Sequence, residues 1–152
     1  MNNISNKRFS KEINLYTSNQ THYVEDCFYH HSDDESITMN LLVENKILTV
    51  KIICNTGYPF KPPNIFVNNI KYMSLLKPTQ LFHIYGKFLN VSKCLCCSTV
   101  LCDWNLLYGF KDILTEIKNN FIIKNRLRRM IYAKKIMKKK LGFEINNLYY
   151  FV

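Results

Sequence analysis

The stretch "GYPFKPPNIFV", residues 57–67, holds three of the chain's four prolines within five positions, Pro59, Pro62 and Pro63. Proline fixes φ near −65° and has no N–H to give to a ladder, so a strand entering this stretch must end there. The short run Ile65, Phe66, Val67 predicts that a new strand begins just beyond it. Upstream, "ITMNLLVENKILTVKIIC" (residues 37–54) contains two β-rich runs on either side of Glu44, Asn45 and Lys46. In the second run Leu48, Val50, Ile52 and Cys54 alternate with Thr49, Lys51 and Ile53, which predicts a hairpin with one buried face. An antiparallel meander therefore feeds a proline corner.

Further out the period changes. Residues 7–18, "KRFSKEINLYTS", carry Phe9, Ile13 and Tyr16 at helical spacing and predict a short amphipathic helix. The following "THYVEDCFYHHSDDES" predicts a strand near residues 23–29 and then an acidic loop. On the C-terminal side Phe110, Ile113, Leu114, Ile117 and Phe121 recur at three- and four-residue steps, the mark of an amphipathic helix. Leu127, Met130, Ile131, Met137 and Leu141 prolong the apolar stripe, with Gly142 a natural stop. Helix, meander, irregular cysteine-bearing loop and C-terminal helices make an α+β fold.

A chain of 152 residues with 47% hydrophobic content suits one core better than two. No apolar run is long enough to span a bilayer, and residues 1–10 are polar where a signal peptide needs an apolar centre, so an intracellular protein, cytoplasmic or nuclear, is expected. The formal charge of +10 is unevenly spread: between Lys118 and Lys140 there are ten Lys or Arg and no acid. Such a segment suggests an acidic partner, whether a protein face, nucleic acid or an anionic membrane surface, beside the plain reading of a solvated helix face. The chain thus divides into a core of residues 1–121 and a basic helical extension over residues 122–152 that packs on the core or continues it. No Gly-rich phosphate loop, paired catalytic carboxylates or Ser/His/Asp pattern stands out, which leaves nucleotide-binding and hydrolase readings without support.

Four of the six cysteines, Cys94, Cys96, Cys97 and Cys102, fall within nine residues, two positions before the only tryptophan, Trp104. In a reducing compartment, clustered cysteines point to thiols, metal ligands or a catalytic thiolate before disulfides. Cys94, Cys97 and Cys102 have ligand-like spacing, and His83 could complete a tetrahedral zinc. A cofactor is otherwise not expected.

These residues together resemble the ubiquitin-conjugating enzyme family. Tyr58, Pro59, Phe60, Pro62 and Pro63 match its Tyr-Pro-Phe-x-Pro-Pro corner, and a cysteine, a tryptophan and an amphipathic helix follow in its order. The resemblance covers roughly residues 7–121. It implies a helix before a four-stranded meander and a catalytic cysteine in a long loop before the next helix. Trp104 lies eight residues after Cys96 and ten after Cys94, both spacings that the family uses. Cys96 is the preferred nucleophile and Cys94 the alternative, because Ser98 then occupies a small polar position of the family pattern. The implied function is to carry ubiquitin or a ubiquitin-like modifier as a cysteine thioester and to transfer it to lysine. The implied partners are the modifier, an activating enzyme and a ubiquitin ligase, with Phe60 a contact for the ligase and Lys7, Arg8 and Lys11 contacts for the activating enzyme. The chain has no His-Pro-Asn tripeptide, which in the family supplies an oxyanion donor; its place is taken by Phe88 if Cys96 is the nucleophile and by Gly86 if Cys94 is. That departure supports the alternative of a catalytically inactive variant or RWD-like binding module.

Overall fold

The computed structural model describes residues 3–17, 27–32, 35–77, 95–96 and 99–141. A helix, α1 (Asn3–Thr17), precedes five strands: β1 (Cys27–Ser32), β2 (Ser36–Val43), β3 (Lys46–Ile53), β4 (Asn64–Val67) and the two-residue β5 (Ile70–Lys71). A single turn of helix, α2 (Tyr72–Leu75), follows, and the long helix α3 (Phe110–Leu141) closes the described chain. The fold is α+β, as the change of period predicts. The strands pair in sequence order, every pair antiparallel.

The alternation read in β3 is the core face: Leu48, Val50 and Ile52 are buried, while Lys46, Ile47 and Thr49 are exposed. Register joins this face across the sheet, with Met39 opposite Val50 opposite Val67, and Ile37 opposite Ile52 opposite Ile65. Each of these side chains is at most 2% exposed, and burying one fully contributes about 1.5–3 kcal/mol. The hairpin turns through Glu44 and Asn45, both at positive φ, the geometry of a two-residue turn matched to strand twist. Asn68 and Asn69 repeat that geometry between β4 and β5. There the Asn68 amide oxygen accepts the Thr49 N–H at 2.9 Å, stitching the turn to β3. The Asn68–Asn69 turn, β5 and α2 fall in a region where periodicity predicts nothing.

Helix α3 packs Phe110, Ile113, Leu114 and Ile117 against the sheet, with α1 adding Phe9, whose ring meets that of Phe110 edge-on at 5.9 Å. Two expectations change in detail. The C-terminal helices are one helix, which runs unbroken through residue 121. Leu127 is buried and Met130 and Ile131 also pack against the core, so apolar contact continues about three turns past Phe121. Beyond Ile131 the stripe leaves the core: Tyr132, Ile136 and Met137 are exposed. The N-terminal helix starts four residues earlier than its apolar spacing indicates. Of the strand expected near residues 23–29, Cys27 to Tyr29 belong to β1, which continues to Ser32, and the positions before Cys27 lie outside the described residues, as does Gly142.

Candidate functional site

The proline corner, the start of α3 and the N-terminal helix meet at the Glu12 carboxylate. It accepts the Tyr58 hydroxyl proton, the Arg8 Nε–H at 3.0 Å and the Phe110 backbone N–H at 2.7 Å. The last of these is an N–H at a helix start, where no intrahelical acceptor exists and a negative charge is favoured by the dipole. Asp112 does the same from within α3, accepting the Gly109 N–H at 2.9 Å, half of a capping box. Gly109 leaves room for this close approach: a Cβ there would stand 2.9 Å from a Glu12 oxygen, so the carboxylate would have to shift. Burial first, and then Glu12, pushes the Tyr58 hydroxyl well above the usual phenol range, so it stays a donor at all physiological pH.

The opposite end of the turn is tied by Trp104. Its indole N–H donates to the Pro59 carbonyl at 2.8 Å, and its ring lies between those of Tyr58 and Tyr108, with centroids 6.0 and 6.2 Å away. Arg8 reaches over Tyr58 to the Leu106 and Tyr108 carbonyls, the latter at 2.6 Å. Asn105 closes the turn by accepting the Leu107 N–H at 2.8 Å. The result is an apolar rim on a rigid base: Phe60 is 68% exposed, Leu106 48% and Leu107 90%. Lys7, Arg8 and Lys11 line a groove of about 530 Å³ together with Leu107, Gly109 and Asp112. The structure thus brings the three basic residues expected to touch a partner to one groove, with Phe60 exposed beside the Trp104–Pro59 bond.

A second polar knot holds the segment between the cysteines and Trp104. Glu116 of α3 accepts the Val100 N–H at 2.5 Å and the Tyr72 hydroxyl at 2.9 Å, and Asn120 donates to that hydroxyl at 2.7 Å. Thr99, 1% exposed, accepts the Cys102 N–H through both its carbonyl, at 2.9 Å, and its hydroxyl, at 3.1 Å. Burial raises the Glu116 pKa against the lowering effect of its two donors, and burial with the Glu116 charge raises that of Tyr72.

Cys96 is half-buried and packs against the core beside buried Leu95, while Cys102 is exposed and donates its thiol proton to the Cys96 carbonyl at 3.3 Å. Cys94, Cys97 and His83 lie outside the described residues, as do Gly86, Phe88 and Ser98. Among the described residues no three His, Cys, Asp or Glu groups are arranged to hold a metal ion. Cys27 and Cys54 belong to the core, not to this site. Burial pushes Cys27 up to about 11, and burial with the Glu12 charge pushes Cys54 higher. Thiolates, not thiols, alkylate, and a pKa near 11 leaves only about 10⁻⁴ of Cys27 ionised at neutral pH. Iodoacetamide on the native protein at pH 7.5 should therefore modify Cys102 first and Cys27 and Cys54 only after denaturant is added, as read by peptide mass spectrometry. Labelling of Cys54 at the rate of Cys102 in native buffer would contradict this burial.

Sequence reasoning missed Glu12, Glu116, Leu106 and Leu107. For the two leucines a signal existed: an apolar pair in "NLLYG", between Trp104 and a helix start, has no periodic partner that would bury it. Comparison of the chain with protein-family models, curated proteins and solved structures finds no match. No helix among the described residues is long and apolar enough to cross a membrane.

Proposed function

We propose that the chain is a divergent member of the ubiquitin-conjugating fold class that carries ubiquitin or a ubiquitin-like modifier on Cys96. The observation that carries this reading is the Trp104 N–H to Pro59 carbonyl bond of 2.8 Å. It joins the two sequence features of the resemblance, the proline corner and the tryptophan after the cysteine, which are otherwise separated by the long intervening segment. Half-buried Cys96 then lies close in sequence to a fixed base, and exposed Phe60, Leu106 and Leu107 provide the contact surface a ligase would use.

In this reading the Cys96 thiolate attacks the activated C-terminal carbonyl of the modifier, the activating group leaves, and a thioester forms. A lysine amine then attacks the same carbonyl, Cys96 leaves as thiolate, the amine gives up a proton, and an amide remains. The protein supplies proximity and a partly desolvated sulfur. The test is incubation with activating enzyme, ATP and each common modifier, read on a non-reducing gel. A reductant-sensitive adduct is expected, converted by Cys96→Ser into a reductant-resistant oxyester; Cys94→Ser should leave it unchanged.

A second reading, a binding module of the same fold without catalysis, is favoured by one specific observation, the lack of any His-Pro-Asn tripeptide. Loss of one oxyanion donor typically costs about 10²–10³ in rate. Binding of modifier or ligase with no adduct under any condition would establish this second reading over the first.

A further inference from the structure

The ten cations between Lys118 and Lys140 equal the chain's whole excess of +10, so the remainder of the protein is neutral. None of them belongs to the candidate site. Arg129 pairs with Glu44 at 3.1 Å, and Asn125 bonds the same carboxylate at 2.9 Å, fixing the helix to the β2–β3 turn. Arg126, Arg128, Lys135, Lys139 and Lys140 are exposed. Lys138, Lys139 and Lys140 occupy the last turn, where the helix dipole favours positive charge, but this does not explain Arg126, Arg128 or Lys135 a turn and more upstream.

We propose that the exposed face of α3 that carries Arg128, Lys135 and Lys139 binds the phosphate backbone of duplex nucleic acid without regard to sequence. Charge density is the first argument. At 1.5 Å and roughly 100° per residue, Lys134, Lys135, Lys138 and Lys139 put four cations within one arc of about 140° on about 8 Å of helix, one per ~2 Å, close to the duplex's one charge per ~1.7 Å of axis. The distribution of charge around the helix is the second. At roughly 100° per residue Lys140 falls between Ile136 and Met137, so the cations interrupt the exposed apolar residues and leave no continuous apolar face to lie in a membrane interface. An acidic protein partner would be expected to anchor on a desolvated apolar centre, and beyond Ile131 the exposed apolar side chains are few, Tyr132, Ile136 and Met137, set among five lysines. Lys124 reflects the local field: burial and then the nearby Arg128 lower its pKa.

The test is a fluorescence-anisotropy titration of the full chain with a random-sequence DNA duplex of about 20 base pairs at 50 and 200 mM salt. Engagement of four phosphates predicts a log–log salt slope near −3.6 and a loss of affinity of about 150-fold between the two. Arg128→Glu, Lys135→Glu and Lys139→Glu combined should abolish binding, and the milder Gln triple should weaken it at least about tenfold with a shallower slope, while Trp104 fluorescence stays native. No binding at 50 mM salt, or binding that both triples leave intact, would overturn the proposal. Tighter binding to polyglutamate than to the duplex would overturn it in favour of an acidic protein, and tighter binding to phosphatidylserine vesicles in favour of a membrane surface.

Discussion

Replacing Glu12 with alanine is expected to lower the stability of the fold by about 3–5 kcal/mol. Tyr58 is 1% exposed and would keep a buried hydroxyl proton with no acceptor, and the Phe110 N–H would lose its partner at the start of α3. Each such group costs about 1–3 kcal/mol when left unsatisfied. Arg8, partly exposed, can turn to water and adds little by itself. It would nevertheless lose the contact that orients it toward the Leu106 and Tyr108 carbonyls, so the 105–108 turn should loosen as well. In a chain of this size each kcal/mol moves the thermal midpoint by about 2–4 °C, which makes the expected drop about 6–20 °C. Glu12→Gln retains an acceptor oxygen and should cost about half as much. Thermal melts followed by Trp104 fluorescence, on the three proteins side by side, decide the matter. A loss below about 1 kcal/mol for the alanine variant would mean that the three donors are not satisfied through this carboxylate.

The second large effect is expected at Glu116. Glu116→Ala leaves the Val100 N–H without its acceptor and the Tyr72 hydroxyl with only the Asn120 donor, a loss of about 2–3 kcal/mol. The consequence should be local as well as global, because Val100 is the point at which the segment after Cys96 is fastened to α3. Hydrogen exchange at Val100 and Cys102 should quicken more than exchange at the β2–β3 ladder. Glu116 also sets a pH dependence. Its folded pKa is raised by burial, so between the ordinary carboxyl value and the raised one the native state holds the proton more tightly than the unfolded chain does. The associated stability is fully present below the ordinary value and is lost as pH rises through the folded value. Glu116→Gln cannot titrate, so the stability difference, wild type minus Gln variant, should shrink as pH goes from 4 to 7. Urea titrations at several pH values test this, and a difference that widens over that range would reverse the sign of the argument.

Much of the fold was legible from local pattern. The alternation of Leu48, Val50 and Ile52 named the buried face of β3, the three prolines marked where that ladder stops, and the three- and four-residue steps from Phe110 to Ile117 named the face of α3 that meets the sheet. Each signal works because side-chain direction repeats every two residues in a strand and every 3.6 in a helix. The Asn68–Asn69 turn was missed although it carries a readable cue, since two consecutive residues at positive φ are tolerated best by glycine and asparagine. In the segment set off by its charge, the buried Leu127 shows that one helix can carry a solvated basic face and a packed apolar one at the same time.

By itself, then, the sequence determined the α+β order, the core faces, the proline corner and the concentration of charge in the last helix, all of which depend on neighbours within a few positions. The tertiary structure alone decided that Glu12 joins residues 46 and 98 positions away, that Glu116 and Asn120 close on Tyr72, and that Trp104 meets Pro59 across 45 positions. A carboxylate in an amphipathic helix reads as a solvated surface charge until the chain closes around it. Only the packed fold determines which donors are deprived of water and must be satisfied by that group, and no periodicity along the chain encodes that.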